Sequence, residues 1–218
     1  RQALRFGTAS MADINAGYRS LIDLLAGLDP TSKFSIANSI WTREGFAFIP
    51  AFLTAGQTWF DAEVRALNFD TPAALTTIND WVSGKTNGKI PTILDRIDGD
   101  EVMFLINAIY FKGAWRLAFD PDDTRDAEFH AGDGTTQSVK TMHLPATSHR
   151  YGYTPDAQIV ELLYGNGAFT MLIVLPHENR TLADVATGLT SARWAEWTAA
   201  LANRSVPLTL PKFRVEYT

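Results

Sequence analysis

Apolar positions recur at helical spacing near the start of the chain. Ile14, Tyr18, Leu21, Ile22, Leu25 and Leu28 lie three or four residues apart, which predicts a helix over 10–28. Ser10 and Asp13 suit its N-cap and N3 acid. Asp29-Pro30 ends it, because the residue before a proline avoids the helical conformation. The pattern then alternates from Lys33 to Trp41 and predicts a strand. A second helical stretch is expected at about 46–60, carrying Phe46, Phe48, Phe52, Trp59 and Phe60, and a short strand from Val64 to Phe69.

Asp70-Thr71-Pro72 reads as a helix entry, since proline at the first helical position loses no hydrogen bond. Leu75, Ile78, Trp81 and Val82 form a narrow apolar stripe, and Gly84 and Gly88 close that helix. Thr86 to Ile90 reads as a compact turn. Residues 102–111, VMFLINAIYF, are apolar except for Asn107, a run that suits a strand covered on both faces. Asp133-Gly134 predicts a hairpin between Asp126–His130 and Ser138–Leu144. Gly165-Asn166-Gly167 similarly joins Gln158–Tyr164 to Ala168–Leu175. A helix around 190–202 should place Trp194, Trp197 and Leu201 on one face. Val206–Leu210 and Lys212–Tyr217 read as strands separated by Pro211. Helices and strands mix without strict alternation, which predicts an α+β class and a single domain over 1–218.

Composition narrows the possible functions. At 46% apolar residues, 218 residues are enough for a core, excluding whole-chain disorder, collagen or coiled coil. A net charge of −5 and a pI near 5.3 argue against nucleic acid or an anionic membrane as partner. The chain has no cysteine, so disulfides, thiolate metal sites and thiol catalysis are excluded. No apolar stretch approaches the length of a membrane span. The start, Arg1 to Phe6, has neither an initiator Met nor a signal-peptide core, and reads as a chain joined partway through a helix.

Candidate chemistry is sparse. No phosphate loop, dinucleotide fingerprint, HExxH or GxSxG occurs. His130, His143, His149 and His177 match no common zinc spacing and read as surface or half-buried side chains. Asp95, Asp98, Asp100 and Glu101 read as a solvated acidic loop rather than a catalytic carboxylate pair. Asp120 to Asp123 reads as a polar turn, without the ligand spacing of a calcium loop. Two glycosylation triplets start at Asn179 and Asn203. Asn107 stands out, because an amide inside an apolar strand must be hydrogen-bonded or costs on the order of 1–3 kcal/mol. It is either a core amide satisfied by neighbouring backbone or a polar latch under a sheet that opens.

Several of these segments together resemble one family. Asn107-Ala-Ile-Tyr-Phe-Lys-Gly-Ala-Trp115 resembles the serpin signature of a central strand leading into a gate. Ile78 to Val82 with Thr86 to Ile90 is similar to the serpin helix F and the turn after it, and Ser35 to Trp41 to strand 2 of the large sheet A. Phe119-Asp-Pro, Phe129-His130, Val139 to Met142, Leu172 to Pro176 and Leu208 to Phe213 follow in the family's order.

The resemblance implies a mixed sheet A, sheets B and C and surrounding helices. It also implies a metastable protease inhibitor rather than an enzyme, with no cofactor and no metal. In such inhibitors a cleaved reactive-centre loop inserts as an extra strand while the protease stays bound as an acyl-enzyme. The expected partner is a serine (or cysteine) protease. By the same resemblance Val102, Phe104, Ile106, Ala108 and Tyr110 belong to a strand bordering the insertion slot. Asn107 takes the shutter position, Trp115 the breach position, and Leu75, Ile78, Trp81 and Val82 the covering helix. Family habit implies a secreted protein, although cytosolic members exist. The family's first helices, its hinge and its loop would fall outside 1–218, so the chain is expected to be truncated at both ends. The alternatives are a non-inhibitory binding or carrier serpin and, from a separate class, a hydrolase with an unseen triad.

Overall fold

The computed structural model describes residues 6–215, and the chain divides into two compact units, Arg1–Gly113 and Ala114–Thr218. Residues 1–5, where the chain was expected to start within a helix, lie outside the described residues.

In the first unit, α1 (Met11–Gly27) starts at the expected capping box. The Ser10 hydroxyl accepts from the Asp13 amide at 3.0 Å, and the Asp13 carboxylate accepts from the Ser10 amide at 3.2 Å. The Ser10 hydroxyl also donates to that carboxylate and is the main reason it titrates below its ordinary range. Next come β1 (Lys33–Arg43), α2 (Pro50–Phe60), β2 (Glu63–Leu67), α3 (Pro72–Lys85) and β3 (Met103–Lys112). α2 starts four residues later than expected: Ile49, preceding Pro50, is extended at ψ 116°, which leaves Phe46 and Phe48 outside the helix.

The sheet order is β2-β1-β3, with β1 parallel to β2 and antiparallel to β3, so the sheet is mixed. One of its faces carries Trp41 and packs against α3 through Phe69, Ala74 and Ile78, with Phe104 and Ile106 joining from β3. Among the described residues β3 is covered on one face only, whereas cover on both was expected. β3 ends this sheet, and on its other face Leu105 is 60% exposed and Ile109 57%.

The second unit holds β4 (Arg125–His130), β5 (Thr136–Tyr153), β6 (Ala157–Leu163), β7 (Thr170–Pro176), α4 (Leu182–Thr187), α5 (Ser191–Ala200) and β8 (Ala202–Pro211). The strands form one five-stranded antiparallel sheet, with β8 on one edge of β5 and β4 and β6 on the other. Both expected hairpins are present, turning at Gly134 (φ 84°) and at Gly165 and Gly167 (φ 42° and 92°), where a side chain would be strained.

Four details differ from the sequence reading. β5 runs on past Leu144, because the pairing register shifts between Leu144 and Thr147 and so accommodates Pro145. α4 was not anticipated. Trp194 is 49% exposed, while Trp197 is buried at 3% and packs with Ile159 and Val185. Residues 212–215 form no strand, and 216–217 lie outside the described residues.

Candidate functional site

The register of β1 against β3 places Asn38 directly opposite Asn107. Asn107 Nδ2 donates to Asn38 Oδ1 at 2.7 Å, and Asn38 Nδ2 donates to the carbonyl of Phe60 at the end of α2, also at 2.7 Å. The amide in the apolar run therefore has a partner, but a side chain rather than backbone. It is exposed in this chain, not buried, because it shares the open face of β3 with Leu105 and Ile109. Sequence reasoning missed Asn38; its signal was an amide in the middle of another alternating strand.

The other residues expected to border a slot lie on the strand face toward α3 or just before the strand. Phe104, Ile106 and Tyr110 are half-buried and Ala108 is buried, whereas Val102 precedes the strand and its carbonyl accepts from the Arg43 amide at 2.8 Å. From α3, Ile78 and Val82 are fully covered, as is Ala74, which the predicted stripe omitted; Leu75 and Trp81 are half-buried. Trp81 Nε1 donates to Glu63 on β2 at 2.7 Å, so the helix is held by a polar contact as well as by packing. Asn79 adds a second tether. Its Oδ1 accepts from the amides of Ile93 and Leu94 at 2.9 and 3.0 Å, and its Nδ2 donates to the Leu94 carbonyl at 2.8 Å. The turn after α3 closes with Gly88 at φ 72°, its amide bonded to the Ser83 carbonyl at 2.7 Å.

The acidic loop is organised by a residue the sequence did not flag. Arg43 donates to the carbonyls of Glu101 (2.8 Å) and Asp98 (3.2 Å) and pairs with Asp70 at 2.6 Å. Glu101 accepts from the Asp98 amide, and Asp98 pairs with Arg96, so these groups act as loop ties.

In the second unit, the Trp115 ring stacks on Tyr164 at 4.3 Å and meets Phe119 edge-on at 6.4 Å. Burial pushes the Tyr164 hydroxyl above its ordinary titration range. Trp115, Leu144, His149 and Leu162 line a cavity of about 290 Å³. His149 departs from the surface reading. It is 5% exposed, its Nε2 has no hydrogen-bond partner, and burial lowers its pKa. The other three histidines fit that reading: His130 contacts Thr136, His143 the Asp123 carbonyl and His177 the Thr154 carbonyl. Among the described residues none of these contacts assembles a Ser-His-Asp relay, and no helix is long and apolar enough to cross a membrane.

The family model described as Serpin (serine protease inhibitor) matches residues 1–218. Among curated relatives, bovine Serpin B8 is 34% identical over 94% of this chain and 56% of its own length. Rat leukocyte elastase inhibitor A is 32% identical over 95% and 58%. The emu ovalbumin structure superposes with a TM-score of 0.87 at 25% identity, covering 94% of this chain and 57% of that one. The thermophilic serpin tengpin in its latent state gives 0.86 at 28% identity, covering 96% and 57%. The chain thus spans little more than half the length of these relatives.

Proposed function

The chain belongs to the serpin family, and from that premise we propose that its parent protein inhibits a serine protease by covalent trapping and strand insertion. The observation carrying the reading is the match of the serpin (serine protease inhibitor) family model over residues 1–218, with a leukocyte elastase inhibitor among the relatives. β3 is the apolar strand beside which the loop would be added. In the proposed reaction the protease serine attacks the loop carbonyl, the C–N bond breaks and the amine leaves with the proton. The ester keeps the protease attached while the loop inserts beside β3. Asn107 and Asn38 act as the shutter, the α3 face of Ile78 and Val82 as the cover that yields, and Trp115 as the breach residue.

The test is incubation of the full-length parent with a panel of serine proteases. An SDS-stable complex is expected; loop cleavage with no complex for any protease overturns the inhibitory reading. The match to ovalbumins supports a second reading as a non-inhibitory serpin, since the family also holds such members. Bulky or charged residues in the parent's hinge favour that reading, because they resist burial on insertion.

A further inference from the structure

Four of the chain's six lysines, Lys33, Lys85, Lys89 and Lys112, gather at one end of α3 and the β1–β3 pair. Lys33 and Lys112 are direct cross-strand partners, an arrangement that repels. Lys85 is in the last turn of α3 with its ammonium 5.7 Å from the Trp81 ring centroid, and Lys89 is in the turn that follows. The Lys33 ammonium donates to Asn87 Oδ1 at 3.2 Å in that same turn and lies 5.6 Å from the Tyr110 ring centroid. Tyr110, Lys89, Lys112 and Ile90 line one cavity of about 510 Å³, and none of its lining residues is acidic.

All four lysines are exposed, and none forms an ion pair among the described residues, whereas Lys140 pairs with Asp126 at 2.9 Å. In a chain of net charge −5 such a corner is not background. It concentrates positive charge without internal compensation, at a stability cost where Lys33 faces Lys112. Compact ammonium groups on flexible stems suit tetrahedral oxyanions, and the cavity falls in the size range of small-ligand sites.

We propose that Lys33, Lys89 and Lys112 form a binding site for a ligand carrying two or more phosphate or sulfate groups. Lys85 contributes field rather than contact. The proposal does not depend on protease inhibition.

The test is isothermal titration of this chain with sodium tripolyphosphate and, separately, with sucrose octasulfate, at low and raised salt. Saturable binding that weakens with salt is expected for at least one probe, and the probe that binds identifies phosphate or sulfate as the natural chemistry. Each single Lys→Gln change at the three positions should weaken it about 5-fold, and the triple variant about 100-fold. Lys140→Gln should leave binding unchanged. The altered side chains are exposed, so circular dichroism should show the fold intact. Failure of both probes to saturate, a triple variant that binds like the wild type, or equal weakening by Lys140→Gln overturns the site.

Discussion

Strands β3 and β6 carry similar apolar chemistry and have opposite fates. β6 lies between β5 and β7, and both its faces are covered. Ile159 packs with Val185 and Trp197 on one side; Val160 and Leu162 pack with Leu210 on the other. β3 has the more continuous apolar run, yet among the described residues it ends its sheet, and only Ala108 of its residues is buried. Within this chain the described residues supply cover for both faces of β6 but for only one face of β3. The polar residues invert in the same way. Asn107, expected inside, is exposed and partnered, while His149, read as surface or half-buried, is buried with its Nε2 unpartnered.

Truncation experiments test this contrast most strongly. Ile159→Ala removes a fully covered side chain and should cost about 2–5 kcal/mol of unfolding free energy. Ile109→Ala on the open face of β3 should fall within about 0.5 kcal/mol. Urea unfolding followed by circular dichroism measures both, and equal losses would break the comparison.

The inverted histidine gives a pH-dependent prediction. Burial lowers the folded-state pKa of His149, so the folded chain takes up this proton only at a lower pH than the unfolded chain does. The unfolded chain takes up a proton below about pH 6.5. Its stability contribution is therefore complete above that pH and declines as pH falls toward the folded value, at most about 1.4 kcal/mol per pH unit. His149→Phe should flatten the stability profile between pH 5 and 7 and raise stability at about pH 5. An unchanged slope would mean other groups carry the acid sensitivity.

The amide pair in β1 and β3 should matter less in this chain. Asn107→Leu leaves Asn38 Oδ1 without its donor, and a neutral hydrogen bond contributes about 1 kcal/mol. A double-mutant cycle with Asn38→Leu should show coupling of similar size by thermal unfolding. In the parent the same change should also speed conversion to latent or polymeric forms. If neither coupling nor conversion changes, the pair is not a latch.

Local signals were the legible ones. The Ser10 and Asp13 cap, the Pro72 entry and the Gly134 hairpin are each decided within a few residues, and all three formed. The Thr181 and Asp184 capping box before α4 was equally local, but the six-residue helix it starts is too short to show periodicity. The strand from Ser138 was expected to stop at Leu144, because sequence does not show the register shift that lets β5 continue past Pro145. At the site, Asn107 was conspicuous against its apolar neighbours. Asn38, Arg43 and Asn79 were not, because each acts through a partner at least fourteen positions away.

The smallest expected effect separates a cross-strand pair that closes a contact from one that only faces water. Asp126 and Lys140 are opposite each other in β4 and β5, just as Asn38 and Asn107 are in β1 and β3. Their ions meet at 2.9 Å, but both side chains are 61% exposed, so solvent screens the attraction and side-chain entropy offsets it. Lys140→Ala should therefore change stability by no more than about 0.5 kcal/mol, and less at 1 M salt than at low salt. The amide pair has no net charge and should respond little to salt. If the ion pair instead contributes more than the amides at every salt concentration, cross-strand position rather than partner chemistry and exposure determines what such pairs contribute.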